Sequence, residues 1–472
     1  MRSVLVGNGI NIQFGGKAYS NDFIMKRIFL GAQTNKYESL FDGQVSGEII
    51  TGIFKGFIDT ANKIINGDYD SLGDDDDQEA IKDFMSRYTE PVAKYHEIML
   101  EDWFLLIRVF FITNSDLKDQ WQSVKQGFEH LILDAIYNEG MLTSLHKNMN
   151  KKVKRFFAGF DYIFSLNYDN NLEVLTGKEV FHLHGDYSVP ADSENPDTVR
   201  GYLRQQAGQM VSVSEFHHCF CNAMLDYSGD LKFRRALAIR ECTIEMNRWL
   251  NLSKHDKLEY EKQIALLKEK DENTFQLVST YVQRPDLHIG TNYHFDELSN
   301  LQGELYIIGL SPNNDGHIFK CINESKIEKV HFYYFSKGDK AIPITKPFEL
   351  LPVNELWQPL DAEKKKYNCC YPIPNSPEVD KFIDVFNEIS FDPVPKNKII
   401  DELNAIPQFE VDRLYGLMKE KFEEQKSRGN PKSESELRRR FIEISCIGLR
   451  EGILPSVLFM MYVMNAKSKD DS

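Results

Sequence analysis

A chain of 472 residues, 42% hydrophobic and 27% charged, is long enough for two or three domains and a sizeable buried core. Its formal charge of −15 lacks the basic footprint of a nucleic-acid binder. The longest apolar run, Ile453 to Met464, contains Pro455 and is too short to span a bilayer, which argues against a membrane protein. Seven scattered cysteines, with no signal peptide before them, predict reduced thiols in a cytoplasmic protein.

Ser3 to Val6 predicts a very short opening strand, followed at once by Gly7-Asn8-Gly9-Ile10-Asn11. A glycine turn directly after a first strand is where bare amides can approach a phosphate, although a lone G-x-G is more often only a turn. From about 20 to 155 the chain reads as a helical insertion. Within it, Asp74 to Asp77 reads as a solvated loop, and Trp103 to Ile112 as a buried helix with one polar contact at Arg108.

Tyr162 to Leu166 is an apolar, aromatic-rich run with the character of a buried strand, ending in Asn167-Tyr168-Asp169. Val180 to Leu183 predicts a second strand, ending in His184-Gly185-Asp186. In an open α/β sheet the carboxyl ends of the strands line the ligand crevice. Asn167 and His184 are therefore expected on one rim, with Gly185 turning the chain sharply after the histidine. Period-two alternation puts His182 on the same strand face as His184, where it reads as a core or supporting histidine.

Ser188 to about Gly229 is polar and punctuated by Pro and Gly, and reads as loops. Leu231 to Asp271 favours helix, with Ile244, Leu250, Ile264 and Leu267 at helical intervals. Leu305 to Ile308 predicts a third buried strand, running into Gly309-Leu310-Ser311, and Lys329 to Phe335 a fourth. Residues 341–377, rich in proline, read as a linker. Val379, Phe382, Ile383, Phe386 and Ile389, then Leu414, Leu417, Met418 and Phe422, keep helical spacing, which predicts a helical domain over 378–472.

The glycine turn, the N-Y-D and H-G-D strand ends in that order, and the later G-x-S together resemble the sirtuin-like fold. More narrowly they resemble bacterial anti-phage effectors: Thoeris-type NAD-degrading proteins, sirtuin proteins that partner HerA-like ATPases, and AbiH abortive-infection proteins. Val6-Gly7-Asn8-Gly9 is similar to the I-G-N-G turn of the AbiH group. The resemblance implies an α/β, Rossmann-like parallel sheet of sirtuin type over 1–340. Large helical insertions at about 20–155 and 200–295 would interrupt it, and a C-terminal helical regulatory or oligomerisation domain would follow.

The same resemblance implies an NAD+ glycohydrolase releasing nicotinamide and ADP-ribose in abortive infection. NAD would be substrate and no metal would be required. Carried across by position, His184 matches the catalytic histidine and Asn167 the asparagine that positions the attacking water. Asp169 matches the acidic residue near the nicotinamide end of the pocket. Gly7, Asn8, Gly9 and Asn11 match the first phosphate-binding turn, and Gly309 and Ser311 the later turn that touches the cofactor. Asp186 fits a loop organiser. A homo-oligomer, a HerA-like ATPase or a phage-derived trigger would be the partner. The chain has no C-x-x-C, unlike the zinc module of deacetylase sirtuins, so plain NAD hydrolysis is favoured over deacetylation.

Other readings compete. The pocket could be a sensor for NAD or ADP-ribose with no turnover, or belong to an AbiH-like interaction protein. His217-His218-Cys219-x-Cys221 could tempt a zinc assignment, but no second cluster completes it. Cys369-Cys370, Arg438 to Arg440 and Phe332 to Phe335 read as incidental thiols, a solvated helix face and a core strand.

Overall fold

The computed structural model describes residues 1–41, 43, 45–93, 97–114, 121–209, 214–226, 228–311, 315–335, 342–362, 420–421, 423–424, 427–429 and 434–452. Six strands form one parallel sheet: β1 Arg2–Val6, β2 Tyr162–Ser165, β3 Phe181–His182, β4 Gln302–Ile308, β5 Lys326–Tyr334 and β6 Phe348–Pro352. Their spatial order is β3-β2-β1-β4-β5-β6. This is the order of a doubly wound, Rossmann-like sheet, whose direction of winding reverses between β1 and β4.

The chain divides into two compact units. The first comprises Met1–Phe14, Phe128–Asp134 and Gly140–Ala362, and the second Gly15–Gly127, Ala135–Glu139 and Glu363–Ser472. The helices, in chain order, are α1 Gly9–Gly15, α2 Asn21–Gln33, α3 Gly47–Ile65, α4 Asp75–Arg87, α5 Leu100–Thr113, α6 Trp121–Tyr137, α7 Lys151–Ala158 and α8 Asn171–Thr176. They continue as α9 Val199–Gln206, α10 Gly229–His255, α11 Lys257–Lys270, α12 Glu272–Gln283, α13 Phe295–Ser299, α14 Gly316–Glu324, α15 Val353–Trp357 and α16 Glu434–Glu451.

Alternation along the strands builds both faces of the first unit. Val4, Val6, Ile163 and Ile308 pack with Ile10 of α1, Val153 and Phe157 of α7, Leu172 and Leu175 of α8, and Trp357 of α15. Leu5, Phe164, Leu305, Ile307 and Phe332 point the other way, into Phe295 and Leu298 of α13 and Ile318, Phe319 and Ile322 of α14. The sheet is thus covered on both sides, which is why apolar stretches such as Val4 to Val6 and Leu305 to Ile308 mark its strands.

The expected strands are present with shifted bounds: the fourth runs over Lys326–Tyr334, and Phe335, read as part of a core strand, lies past its end and is 88% exposed. The third strand, expected from Val180 to Leu183, pairs only at Phe181 and His182, because the chain turns off into the H-G-D segment. β6 lies inside the stretch read as linker: Phe348, Leu350 and Pro352 pair with Val330, Phe332 and Tyr334. Residues 363–419 and 453–472, which carry the Cys369-Cys370 pair and most of the helical spacing expected after 378, lie outside the described residues. The segment read as loops after Ser188 contains α9.

In the second unit, Phe29, Phe54, Phe57 and Trp103 from α2, α3 and α5 form one aromatic core, with ring centroids 4.3–6.5 Å apart. Phe23 and Leu30 of α2 meet Leu449 of α16. The C-terminal helix therefore belongs with the helical segment after Gly15. Arg108 makes the polar contact expected of it, through Nε and Nη2 to Asp77 at 3.1 and 3.0 Å.

That partner corrects the reading of Asp74 to Asp77 as a solvated loop. Asp74 caps α4, Asp77 returns the capping hydrogen bond, and the Asp77 side chain is fully buried. Carboxylates complement the positive end of a helix, so an acidic run can nucleate a helix instead of interrupting one. Among the described residues, no helix is long and apolar enough to cross a membrane.

Candidate active site

β1 and β4 stay paired to their carboxyl ends, and the glycines that follow touch. Gly7 N donates to Ile308 O and Gly9 N to Gly309 O, both at 2.9 Å. A Cβ on Gly9 would lie 2.5 Å from Gly309 Cα, and Gly309 itself has φ +72°. These glycines are required because two backbones cross with no room for a side chain. Asn8 and Ser311 are exposed at the same edge.

A buried amide–carboxylate network ties this turn to β2. Asn11 Nδ2 donates to Asp169 Oδ2 at 2.9 Å, while Asn171 supplies its backbone and side-chain N–H to Asp169 Oδ1. Burial raises the Asp169 pKa from the ordinary carboxylate value, against the lowering effect of these hydrogen bonds. Asn11 Oδ1 is sealed from solvent with no donor among the described residues. Asn167 Nδ2 donates to Gly7 O at 3.2 Å, which fixes the amide plane and leaves its Oδ1 to accept from elsewhere.

His182 Nδ1 donates to Asn167 O at 3.0 Å, and His182 Nε2 meets Glu173 Oε1 at 2.5 Å. Burial alone would lower the His182 pKa; the bond to Glu173 and its charge outweigh burial and raise it. His182 is thus a structural ion-pair partner. His184 lies two residues further on, in the turn. Its Nε2 stands 2.9 Å from His317 Nε2, near the start of α14, with the rings 5.2 Å apart and stacked. Burial, then the charge of Lys232, then His317 hold the His184 pKa well below its ordinary value. Burial and Lys232 push His317 down to about 3. Both rings are therefore neutral at pH 7.

Gly185 has φ +81°, and a Cβ there would lie 2.4 Å from Asn222 O. The Asn222 side chain accepts from Asp186 N at 2.8 Å, and Asp186 Oδ1 accepts from Ser188 N, so Asp186 organises the loop.

The structure thus joins Gly7 with Asn167, Asn11 with Asp169, and Gly9 with Gly309. His184 pairs with His317; among the described residues no hydrogen bond joins it to the Asn167 side chain. Sequence reasoning missed His317, Lys232, Asn171 and Asn222. Only His317 left a signal, being a polar residue opening the helix that follows β4, where the rim lies.

Two groups of donors converge closely enough to hold a metal: His184, Asp315 and His317, and Asp134, His218 and Cys219, each within 4.8 Å of one another. In the second, His218 Nε2 already lies 3.1 Å from Asp134 Oδ1, and burial pushes the neighbouring Cys221 thiol up to about 11. A cleft of about 470 Å³ opens elsewhere in this unit, between α10 and residues 285–296, lined by Arg240, Thr243, Tyr281, His288 and Tyr293. None of the site residues expected from the sequence lines it, although Ile244 of the helical pattern does. No protein-family model matches the sequence, and no curated protein or solved structure matches it.

Proposed function

We propose that the carboxyl edge of β1, β2 and β3 binds NAD and hydrolyses its nicotinamide–ribose bond, as a sirtuin-type effector of anti-phage abortive infection would. One observation carries this reading. Ser165 pairs with His182 in register, so Asn167 and His184 each stand two residues past the last paired position of adjacent strands. Strands lie about 4.8 Å apart, so two side chains of complementary chemistry emerge at the same rim.

In this reading Asn167, its Nδ2 held by Gly7 O, receives the attacking water on Oδ1. The buried, donorless Oδ1 of Asn11 takes a ribose hydroxyl. The C1′–N bond breaks with its electron pair going to the pyridinium nitrogen, so nicotinamide leaves neutral and needs no general acid. Water oxygen bonds C1′ of the oxocarbenium-like centre. Its proton passes to neutral His184, which is backed by His317, and then to solvent. General-base help of this kind is worth about 10²–10⁴-fold. Restraint of such an activity at rest falls to the second unit, by self-association or a partner such as a HerA-like ATPase.

The test is nicotinamide release from NAD, followed by chromatography, for the wild type and for His184→Ala and Asn167→Ala. Release abolished by either substitution supports the reading; release unchanged in both ends it. A sensor without turnover is the second reading. It is favoured by the pairing of His184 Nε2 with His317, which occupies the ring atom a base would use. Calorimetric binding of ADP-ribose with no nicotinamide release selects it.

A further inference from the structure

We propose that Lys232, His184 and His317 form a binding site for a phosphoryl anion at the N-terminus of α10. Lys232 is 4% exposed, yet its ammonium has no hydrogen-bond or ion-pair partner among the described residues. A lysine so largely covered, its ammonium bonded to no described group, is open to a ligand that brings negative charge, although the Asp315 carboxylate lies within 4.8 Å of the ring nitrogens of His184 and His317. Its charge is felt by both histidine rings.

The helix adds to the same field. α10 runs for 27 residues, and its positive end lies beside these groups. Ser228 Oγ accepts from Leu231 N at 3.1 Å and Ser228 O from Lys232 N, while the amides of Gly229 and Asp230 have no acceptor among the described residues. Gly229 touches the His317 ring: a Cβ there would lie 2.1 Å from His317 Nδ1. That Nδ1 is buried and has no partner among the described residues. An ammonium with three donors, two open helix amides and imidazole nitrogens suit a ligand that presents several anionic oxygens around one centre.

The glycine turn after β1 offers less. Its Gly7 and Gly9 amides are already bonded to β4 carbonyls, and its missing side chains are explained by the crossing with Gly309. The rival occupant is a divalent cation held by His184, His317 and Asp315. The unpaired ammonium opposes a dication and favours an anion. Assigning the anion to the diphosphate of a dinucleotide rests on the hydrolase reading above; the site itself does not.

Titration calorimetry with inorganic phosphate and with ADP, on the wild type and Lys232→Met, tests the site. Both ligands bind the wild type, and Lys232→Met weakens them about 10- to 100-fold. Its melting temperature stays level or rises, because an apolar side chain of similar length replaces a buried charge. Unchanged affinity, or a lowered melting temperature without ligand, overturns the proposal. So does a rise in wild-type melting temperature with Zn²⁺ or Mn²⁺ that His317→Ala abolishes while ADP fails to bind. Histidine ring resonances of the wild type provide a check that needs no variant: phosphate shifts those of His184 and His317, and their indifference overturns the site. Lys232-dependent ADP binding without nicotinamide release sinks the hydrolase and leaves the anion site; nicotinamide release with Lys232-independent ADP binding does the reverse.

Discussion

The Nε2 atoms of His184 and His317 stand 2.9 Å apart in a buried setting, so their contact holds a single proton, donated by one ring and accepted by the other. Both rings have folded pKa values below the ordinary histidine value of 6.5, with His317 down to about 3.

That depression sets a direction for stability. Above pH 6.5 neither the fold nor the unfolded chain protonates these rings, and their contribution is fully present. As pH falls below 6.5 the unfolded chain takes up protons that the fold refuses, so stability falls, for His317 over the window down to about 3. The slope is about 1.4 kcal/mol per pH unit per histidine. His182 acts oppositely: its raised pKa adds stability at low pH that is lost as pH rises through the folded value. Urea unfolding at pH 7 and pH 5.5 is expected to lose about 1 kcal/mol less on acidification in His317→Leu than in the wild type. An equal loss in both proteins contradicts the assignment.

Asn11 and Asp169 give a charge test. Asn11→Ala removes one hydrogen bond to a buried carboxylate and costs about 1–3 kcal/mol, by chemical denaturation at pH 7. Asn11→Asp sets a second carboxylate against Asp169, so one must hold a proton that the unfolded chain releases above about pH 4. Its deficit therefore exceeds that of Asn11→Ala at pH 7 and shrinks as pH falls towards 5. A deficit independent of pH counts against the pairing.

The crossing of Gly9 and Gly309 has a steric test. Gly9→Ala sets a Cβ 2.5 Å from Gly309 Cα, and Gly309→Ala also forces an L side chain into φ +72°. Each substitution is expected to cost about 1–3 kcal/mol in thermal unfolding. The double variant costs less than their sum, since one displacement of the two turns relieves both.

In the second unit, Arg87 meets Asp102 through two hydrogen bonds of 2.7 Å, and Tyr88 Oη donates to the same carboxylate at 2.7 Å. Asp102→Asn leaves Arg87 without its buried counter-charge and is expected to cost about 3 kcal/mol. Asp83 also touches Arg87, but is exposed. Asp83→Asn is therefore expected to cost no more than about 1 kcal/mol. Equal losses would deny the effect of burial.

Strands were legible because a sheet covered on both faces needs short apolar stretches, as in Ile163-Phe164 and Leu305 to Ile308. β6 was less so, because a partly buried edge strand that begins after Pro347 and ends in Pro352 looks like linker. The acidic run from Asp74 to Asp77 misled for a related reason: whether the Asp77 carboxylate is solvated or buried depends on Arg108, thirty-one residues further along.

The sequence by itself determined the buried strands and their polar ends at Asn167 and His184, since both follow from local runs of apolar and polar residues. Only the tertiary structure decided what those side chains meet: Asn167 the Gly7 carbonyl, and His184 the ring of His317, 133 residues away. It also decided that one lysine of a charged helix, Lys232, is 4% exposed and bonded to no group among the described residues. Helical spacing fixes which residues share a face, but what lies against that face is set by chain crossings that local patterns do not encode.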